Sequence, residues 1–298
     1  MDAALFHDPR RRMIAIPGGE IAALDFGDAG RPVEAVFLHG NGLNAMTYRS
    51  ILGPLSLSMR ILACDLRGHG ASRLAADPEA PRRSWGLFRD DVLAVIEAVA
   101  TEPLVLAGHS MGATTALLAA AAAPRRVRGL ALFEPVILPR FAAALGRLPW
   151  TSGRRWRGLP IATKAARRRA VFDSAAEAFR SFQGRGAFRT WPETMLADYL
   201  AGGLRDRADG SVELACAPAW EAANLAAQDN DARGALRRLA VPISIHRAEI
   251  GSTCGLRAGS RLGPGRRLSL VTVPGATHSL PMERPDLVRD VLLDAVEA

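Results

Sequence analysis

Apolar residues in this chain gather into short continuous blocks at 33–38, 60–64, 103–107, 127–133, 241–245 and 268–273. Unbroken apolar runs of this length, bounded by Gly, Pro and Asp, read as strands covered on both faces. An opening pair, 12–16 and 21–26, is joined by Pro17-Gly18-Gly19 and reads as a hairpin. Between the blocks lie helical stretches at about 85–100, at 113–123, where Pro124 stops the run, and at about 285–296. Short apolar strands alternating with helices predict an α/β fold, with a mostly parallel central sheet and helices on both faces.

The stretch 137–239 breaks this alternation. It is rich in Arg, Ala and Trp, reads mostly helical, and has turn signals at 150–153, 183–186 and 209–211. We read residues 1–136 and 240–298 as the core and 137–239 as an inserted helical cap. In open parallel sheets ligands bind at the carboxyl ends of the strands, so the loops that follow the apolar blocks are the place to seek chemistry.

Composition narrows the class. With 298 residues, 49% of them hydrophobic, the chain can build one large α/β domain. No apolar run approaches the roughly 18 residues of a membrane span, so no stable membrane insertion is expected. The first residues lack a basic region followed by an apolar one, so no signal peptide is expected. Cys64, Cys216 and Cys254 fit neither a disulfide framework nor a zinc site and read as inert thiols of a cytoplasmic protein. The formal net charge is +8, and Lys164 is the single lysine. Residues 136–240 hold 17 basic against 10 acidic side chains, which accounts for most of the excess. The clusters Arg154-Arg155-Trp156-Arg157 and Arg167-Arg168-Arg169 read as solvated helical faces, since no nucleic-acid motif accompanies them. Nothing here fixes the oligomeric state.

The candidate chemistry centres on Gly108-His109-Ser110-Met111-Gly112. An apolar strand precedes this G-x-S-x-G and an alanine-rich helix follows it, the context in which the motif forms a tight turn. The flanking glycines let strand and helix approach closely. The serine Oγ then projects beside a helix N-terminus, where backbone N–H groups favour negative charge. Ser110 is therefore the candidate nucleophile.

Together with His39-Gly40-Asn41-Gly42, Asp65-Leu66-Arg67-Gly68-His69-Gly70-Ala71-Ser72 and Gly275-Ala276-Thr277-His278, this motif makes the chain resemble the α/β-hydrolase superfamily from about residue 12 to the end. The resemblance implies that His278, in the loop after the last strand, is the catalytic base. It implies an oxyanion site from the backbone N–H groups of Met111 and Asn41, and leaves open that the Asn41 side chain also points inward. Asp65 and Arg67 fall in a loop the superfamily uses structurally.

The acid departs from the usual pattern. The superfamily most often places it in the loop after the strand that begins at Val241, where the expected Asp position falls at about Gly251. Glu249 lies nearby. A second place known in the superfamily is the end of the strand after the nucleophile, which here is Glu134. A carboxylate that abruptly ends an apolar strand needs a partner to offset its burial, and a histidine would supply one. Glu134 is the preferred acid and Glu249 the alternative.

Serine at the elbow, where haloalkane dehalogenases and epoxide hydrolases carry aspartate, favours acyl transfer. The expected function is a capped serine hydrolase of small to medium carboxylic esters, using a Ser-His-Glu triad with no cofactor and no metal. Its partner is a small-molecule ester. The alternatives are a non-hydrolytic or C–C-bond-cleaving enzyme of the same fold, or a binding module that kept the fold.

Overall fold

The computed structural model describes residues 8–138, 159–257 and 268–298. The chain opens with β1 (Arg10–Ile16) and β2 (Gly19–Phe26), an antiparallel hairpin that turns at Gly18, φ 88°. β3 (Ala35–Leu38), the short α1 (Arg49–Leu52), β4 (Ile61–Cys64), the two-residue β5 (Arg73–Leu74) and α2 (Gly86–Val99) follow. Then come β6 (Leu104–His109), α3 (Met111–Ala122) and β7 (Val127–Phe133). The sheet order is β1-β2-β4-β3-β6-β7-β11-β12, with β11 (Ile243–Ala248) and β12 (Leu268–Val273) returning after the long interruption. From β4 to β12 all pairings are parallel.

β3, β4 and β6 are buried at every position, as their unbroken apolar runs require. Helices cover both faces. On one face Val92, Val95 and Ile96 of α2 and Ala116, Leu117 and Ala120 of α3 share a core cluster with Val36 and Leu106. On the other, Ile51 and Leu52 of α1 and Val288 and Leu292 of the C-terminal helix join Phe37, Ala107 and Phe133. No helix among the described residues is long and apolar enough to cross a membrane. The three cysteines are buried and unpaired, and burial pushes the Cys64 thiol up to about 12.

The interruption holds α4 (Pro160–Ala166), β8 (Val171–Phe172), α5 (Ala175–Phe182), α6 (Glu193–Gly203), β9 (Leu204–Asp206), β10 (Val212–Leu214), α7 (Pro218–Ala226) and α8 (Ala232–Arg238). It is not wholly helical. β8, β10 and β9 form a separate antiparallel sheet whose strands are two or three residues long, too short to show a period in the sequence. α4 packs on α7, and α6 packs on the turn 45–48. α8 already lies in the core, with Ala232, Ala235 and Leu236 packed in the same cluster as α3. The turn expected at 150–153, Trp150, Trp156 and the arginines at 154, 155 and 157 lie outside the described residues.

The segment rests on loops at the carboxyl end of the sheet. Asn44 donates to the Tyr199 carbonyl at 2.9 Å, and Trp220 Nε1–H donates to the Arg67 carbonyl at 3.0 Å. Trp191 Nε1–H donates to Ser279 Oγ at 2.9 Å. The run 167–169 is not a uniformly solvated face. Arg168 is largely buried, pairs with Glu221 at 3.0 Å, donates to Tyr199 Oη at 2.9 Å and lies over the Phe182 ring. Arg169 pairs with Glu177 at the surface.

Candidate active site

Ser110 sits between the last residue of β6 and the first of α3, with φ 55° and ψ −118°. The flanking glycines make this turn possible. A Cβ on Gly112 would lie 2.2 Å from the Leu38 carbonyl oxygen, and one on Gly108 would lie 2.7 Å from the same atom. Contacts that close are not seen for real side chains, so strand β3 and helix α3 meet only with glycine there.

His278 follows β12 and the Pro274-Gly275 turn. Ser110 Oγ–H donates to His278 Nε2 at 2.9 Å, and His278 Nδ1–H donates to Glu134 Oε2 at 3.0 Å. Glu134 is fully buried at the end of β7, and Ser110 is 8% exposed. The imidazole side chain is 42% exposed, so the relay is open on the histidine side.

The loop that lacks the expected carboxylate has another task. Ala248 N–H donates to Glu134 Oε1 at 2.7 Å, Thr253 N–H to Oε2 at 3.0 Å, and Ser252 Oγ–H also donates to Oε1. Burial drives the Glu134 carboxyl upward, but His278, Ser252 and these two amides outweigh it and hold the pKa down at about 2. Charge-assisted bonds of this kind are the strong ones. Ser252 and Thr253 were not legible as site residues. The available signal was the pair of donors just past the position where an Asp was expected.

Glu249, the alternative acid, is exposed and does not reach His278. It accepts from Gly275 N–H at 2.8 Å and so braces the turn that precedes the histidine. A β-strand sends successive side chains to opposite faces, and the chain at 249 has already left β11.

The two backbone groups expected as donors are those of Met111, which directly follows Ser110, and Asn41. Met111 is the first residue of α3, so its N–H has no intrahelical acceptor. Asn41 N–H has no acceptor among the described residues. The Asn41 side chain does not point inward as a further donor. It donates from Nδ2 to the Glu221 carbonyl at 2.9 Å and accepts at Oδ1 from Asn224 at 3.0 Å, so α7 holds it from above.

His39 and His69 are held neutral. His39 accepts from Leu66 N–H and donates to the Gly40 carbonyl, and burial sets its pKa well below the usual value. His69 accepts from Gly42 N–H and donates to the Arg67 carbonyl, and burial lowers it to about 4. Asp65 accepts from Ala45 and Ala71 N–H and braces the loop after β4, as expected, while Arg67 pairs with Asp91.

The family model described as the alpha/beta hydrolase family matches residues 35–291, and the chain belongs to that family. It is 31% identical over 241 residues to a magnesium-chelatase 30 kDa subunit of Rhodobacter capsulatus, covering 74% of this chain and 71% of the relative. It is 26% identical over 273 residues to a 2-(acetamidomethylene)succinate hydrolase of Mesorhizobium japonicum, covering 88% and 87%. The crystal structure of an E-2-(acetamidomethylene)succinate hydrolase superposes with a TM-score of 0.77 at 21% identity, over 97% of this chain and all of that one. Relatives named as hydrolases support hydrolase activity for the family branch.

Proposed function

We propose that this member of the alpha/beta hydrolase family is a cofactor-free serine hydrolase of carboxylic esters with small to medium acyl groups. The observation that carries this reading is the unbroken chain from Ser110 through His278 to Glu134, with bonds of 2.9 and 3.0 Å. That geometry suits a hydroxyl activated by a base that a third group orients.

His278 Nε2 takes the Ser110 hydroxyl proton as Oγ attacks the ester carbonyl carbon. Glu134 stabilises the imidazolium through Nδ1–H. The carbonyl oxygen gains the electron pair and lies against the N–H groups of Asn41 and Met111, donors of a kind that contribute about 2.7–4 kcal/mol each. The intermediate collapses, the C–O bond to the leaving alcohol breaks, and His278 Nε2–H protonates the departing oxygen. Water then attacks the acyl-serine with the same proton movements and releases the acid.

The elements within 137–239 act as the cap, excluding water and limiting acyl size. Its lodging on the loops after β3, β4 and β12 supports this role. Three buried unpaired thiols support a cytoplasmic setting.

One relative, the magnesium-chelatase subunit, is not named as a hydrolase, and a second reading is a binding module that kept the fold. Labelling of the intact protein with a fluorophosphonate probe, followed by peptide mapping, separates the two. Label at Ser110 is expected, and a protein that takes none there is not a serine hydrolase. Faster turnover of a C–C substrate than of 4-nitrophenyl esters would replace the ester reading with carbon–carbon cleavage.

A further inference from the structure

Tyr48 and His109 stand outside the Ser110–His278–Glu134 chain, yet they link the loop of Asn41, the turn of Ser110 and the loop of His278. Gly40 N–H donates to Tyr48 Oη at 3.3 Å. Tyr48 Oη lies 2.8 Å from His109 Nδ1, and His109 Nε2 lies 2.8 Å from the carbonyl oxygen of His278. Tyr48 is fully buried and His109 nearly so, at 3% exposure.

The direction of every bond follows from the chemistry of its ends. A carbonyl oxygen only accepts, so His109 Nε2 must carry the proton. Burial, together with the neighbouring His278, lowers the His109 pKa to about 3, so Nδ1 is a bare lone pair at neutral pH. The phenol keeps its proton, since burial pushes its pKa far up. Tyr48 O–H therefore donates to Nδ1, and its oxygen is left to accept from Gly40. No member has a choice of partner.

Both rings are also closely packed. The Tyr48 ring lies 4.7 Å from Phe37, within the core cluster that includes Phe133. The His109 ring lies 5.2 Å from that of His278. A Cβ on Gly40 would come within 3.2 Å of His109 Nδ1, so the oxyanion loop presses directly on this ring.

We infer that Tyr48 and His109 are positioning residues: through backbone and ring bonds they hold the loops of Asn41, Ser110 and His278 in mutual register. The inference rests on the ester-hydrolase reading for its effect on rate, and on the bond network alone for its tautomer. Misplacing reacting groups by about 1 Å costs about 100-fold in rate.

The test uses the full chain and 4-nitrophenyl acetate, with rates expressed per site titrated by the fluorophosphonate. Tyr48→Phe leaves both Gly40 N–H and His109 Nδ1 without a partner, and kcat is expected to fall about 30-fold with KM changed by less than about twofold. His109→Gln keeps an amide N–H that can reach the His278 carbonyl and is expected to retain clearly more activity than His109→Phe. A lower melting temperature in Tyr48→Phe with kcat per site unchanged means a structural role only, and overturns the inference. The second readout needs no turnover. The ring ¹⁵N resonances of His109 in the wild type are expected to report the Nε2–H tautomer unchanged between about pH 5 and 8. An Nδ1–H tautomer, or titration in that range, would overturn the network. A wild type that neither labels nor turns over, but shows the expected tautomer, would sink the ester reading and leave the network standing.

Discussion

Ser110 and Glu134 share a positive φ found at no other non-glycine position among the described residues, 55° and 51°. Each is the first residue past a parallel strand, β6 and β7, and the residues before them, His109 and Phe133, face one another in register. Ser110 N–H donates to the Phe133 carbonyl at 3.0 Å, and Glu134 N–H donates to the His246 carbonyl at 2.7 Å. Both amides thus extend the sheet ladder one step while the side chains turn toward the same edge. Such conformations cost about 1–3 kcal/mol each and persist where the surroundings over-determine them. The donors gathered on the Glu134 carboxylate and the tight β3–α3 approach around Ser110 are those surroundings.

The acid assignment is tested by paired substitutions. Glu134→Gln leaves the shape but removes the charge that orients and stabilises the imidazolium, and ester turnover is expected to fall on the order of 10³–10⁴-fold. Glu249→Gln loses only a brace on Gly275 and should stay within about threefold of wild type. The opposite ranking in steady-state assays would move the acid to Glu249.

Ser252→Ala probes the loop that replaces the missing carboxylate. Loss of a hydrogen bond to a buried charge is expected to cost about 2 kcal/mol of stability. The Glu134 carboxyl, now at about 2, should rise toward its ordinary 4.5. A carboxyl depressed in the native state contributes stability above its unfolded pKa and loses it as pH falls through the native value. The acid-unfolding midpoint of Ser252→Ala, followed by circular dichroism, should therefore move to higher pH. An unchanged midpoint would mean that Ser252 does not hold the charge.

His39, His69 and His109 give the protein a steep acid limb. All three are buried and neutral, with pKa values well below 6.5, at about 4 and at about 3. Unfolding frees each to bind a proton, so their contribution is full above pH 6.5 and is lost as pH falls from there toward 4. At about 1.4 kcal/mol per group and pH unit, the slope should approach about 4 kcal/mol per unit. Calorimetric melting between pH 6.5 and 4.5 measures it, and a flat melting temperature there contradicts the neutral burial.

Gly112→Ala should abolish stable folding or cost more than about 3 kcal/mol, because the added Cβ falls 2.2 and 2.5 Å from the Leu38 and His39 carbonyl oxygens. Gly210→Ala is the control. It has φ 82° but nothing within 4 Å, so only the backbone penalty of about 1 kcal/mol applies. Comparable urea midpoints for the two variants would refute the close-packing account of the motif.

Much of this architecture was legible in the residues. Continuous apolar blocks marked the parallel strands because a strand covered on both faces has no solvent side to alternate toward, and 127–133 and 268–273 match β7 and β12 to the residue. The G-x-S-x-G motif located Ser110 because its geometry is local, a tight turn between a strand and a helix. Strands β8, β9 and β10 were missed because two or three residues carry no period. The burial of Arg168 was missed because its partners, Glu221 and Tyr199, lie far along the chain.

By itself, then, the sequence determined the strand–helix alternation and singled out the candidate nucleophile and the candidate base, since each depends on a few neighbouring residues. Only the tertiary structure set Glu134 rather than Glu249 within hydrogen-bond reach of His278, turned the Asn41 side chain up to α7, and brought Ser252 and Tyr48 to the candidate site. Those outcomes depend on which atoms three distant loops bring within about 3 Å of one another, and such distances follow from packing the whole sheet rather than from any local pattern.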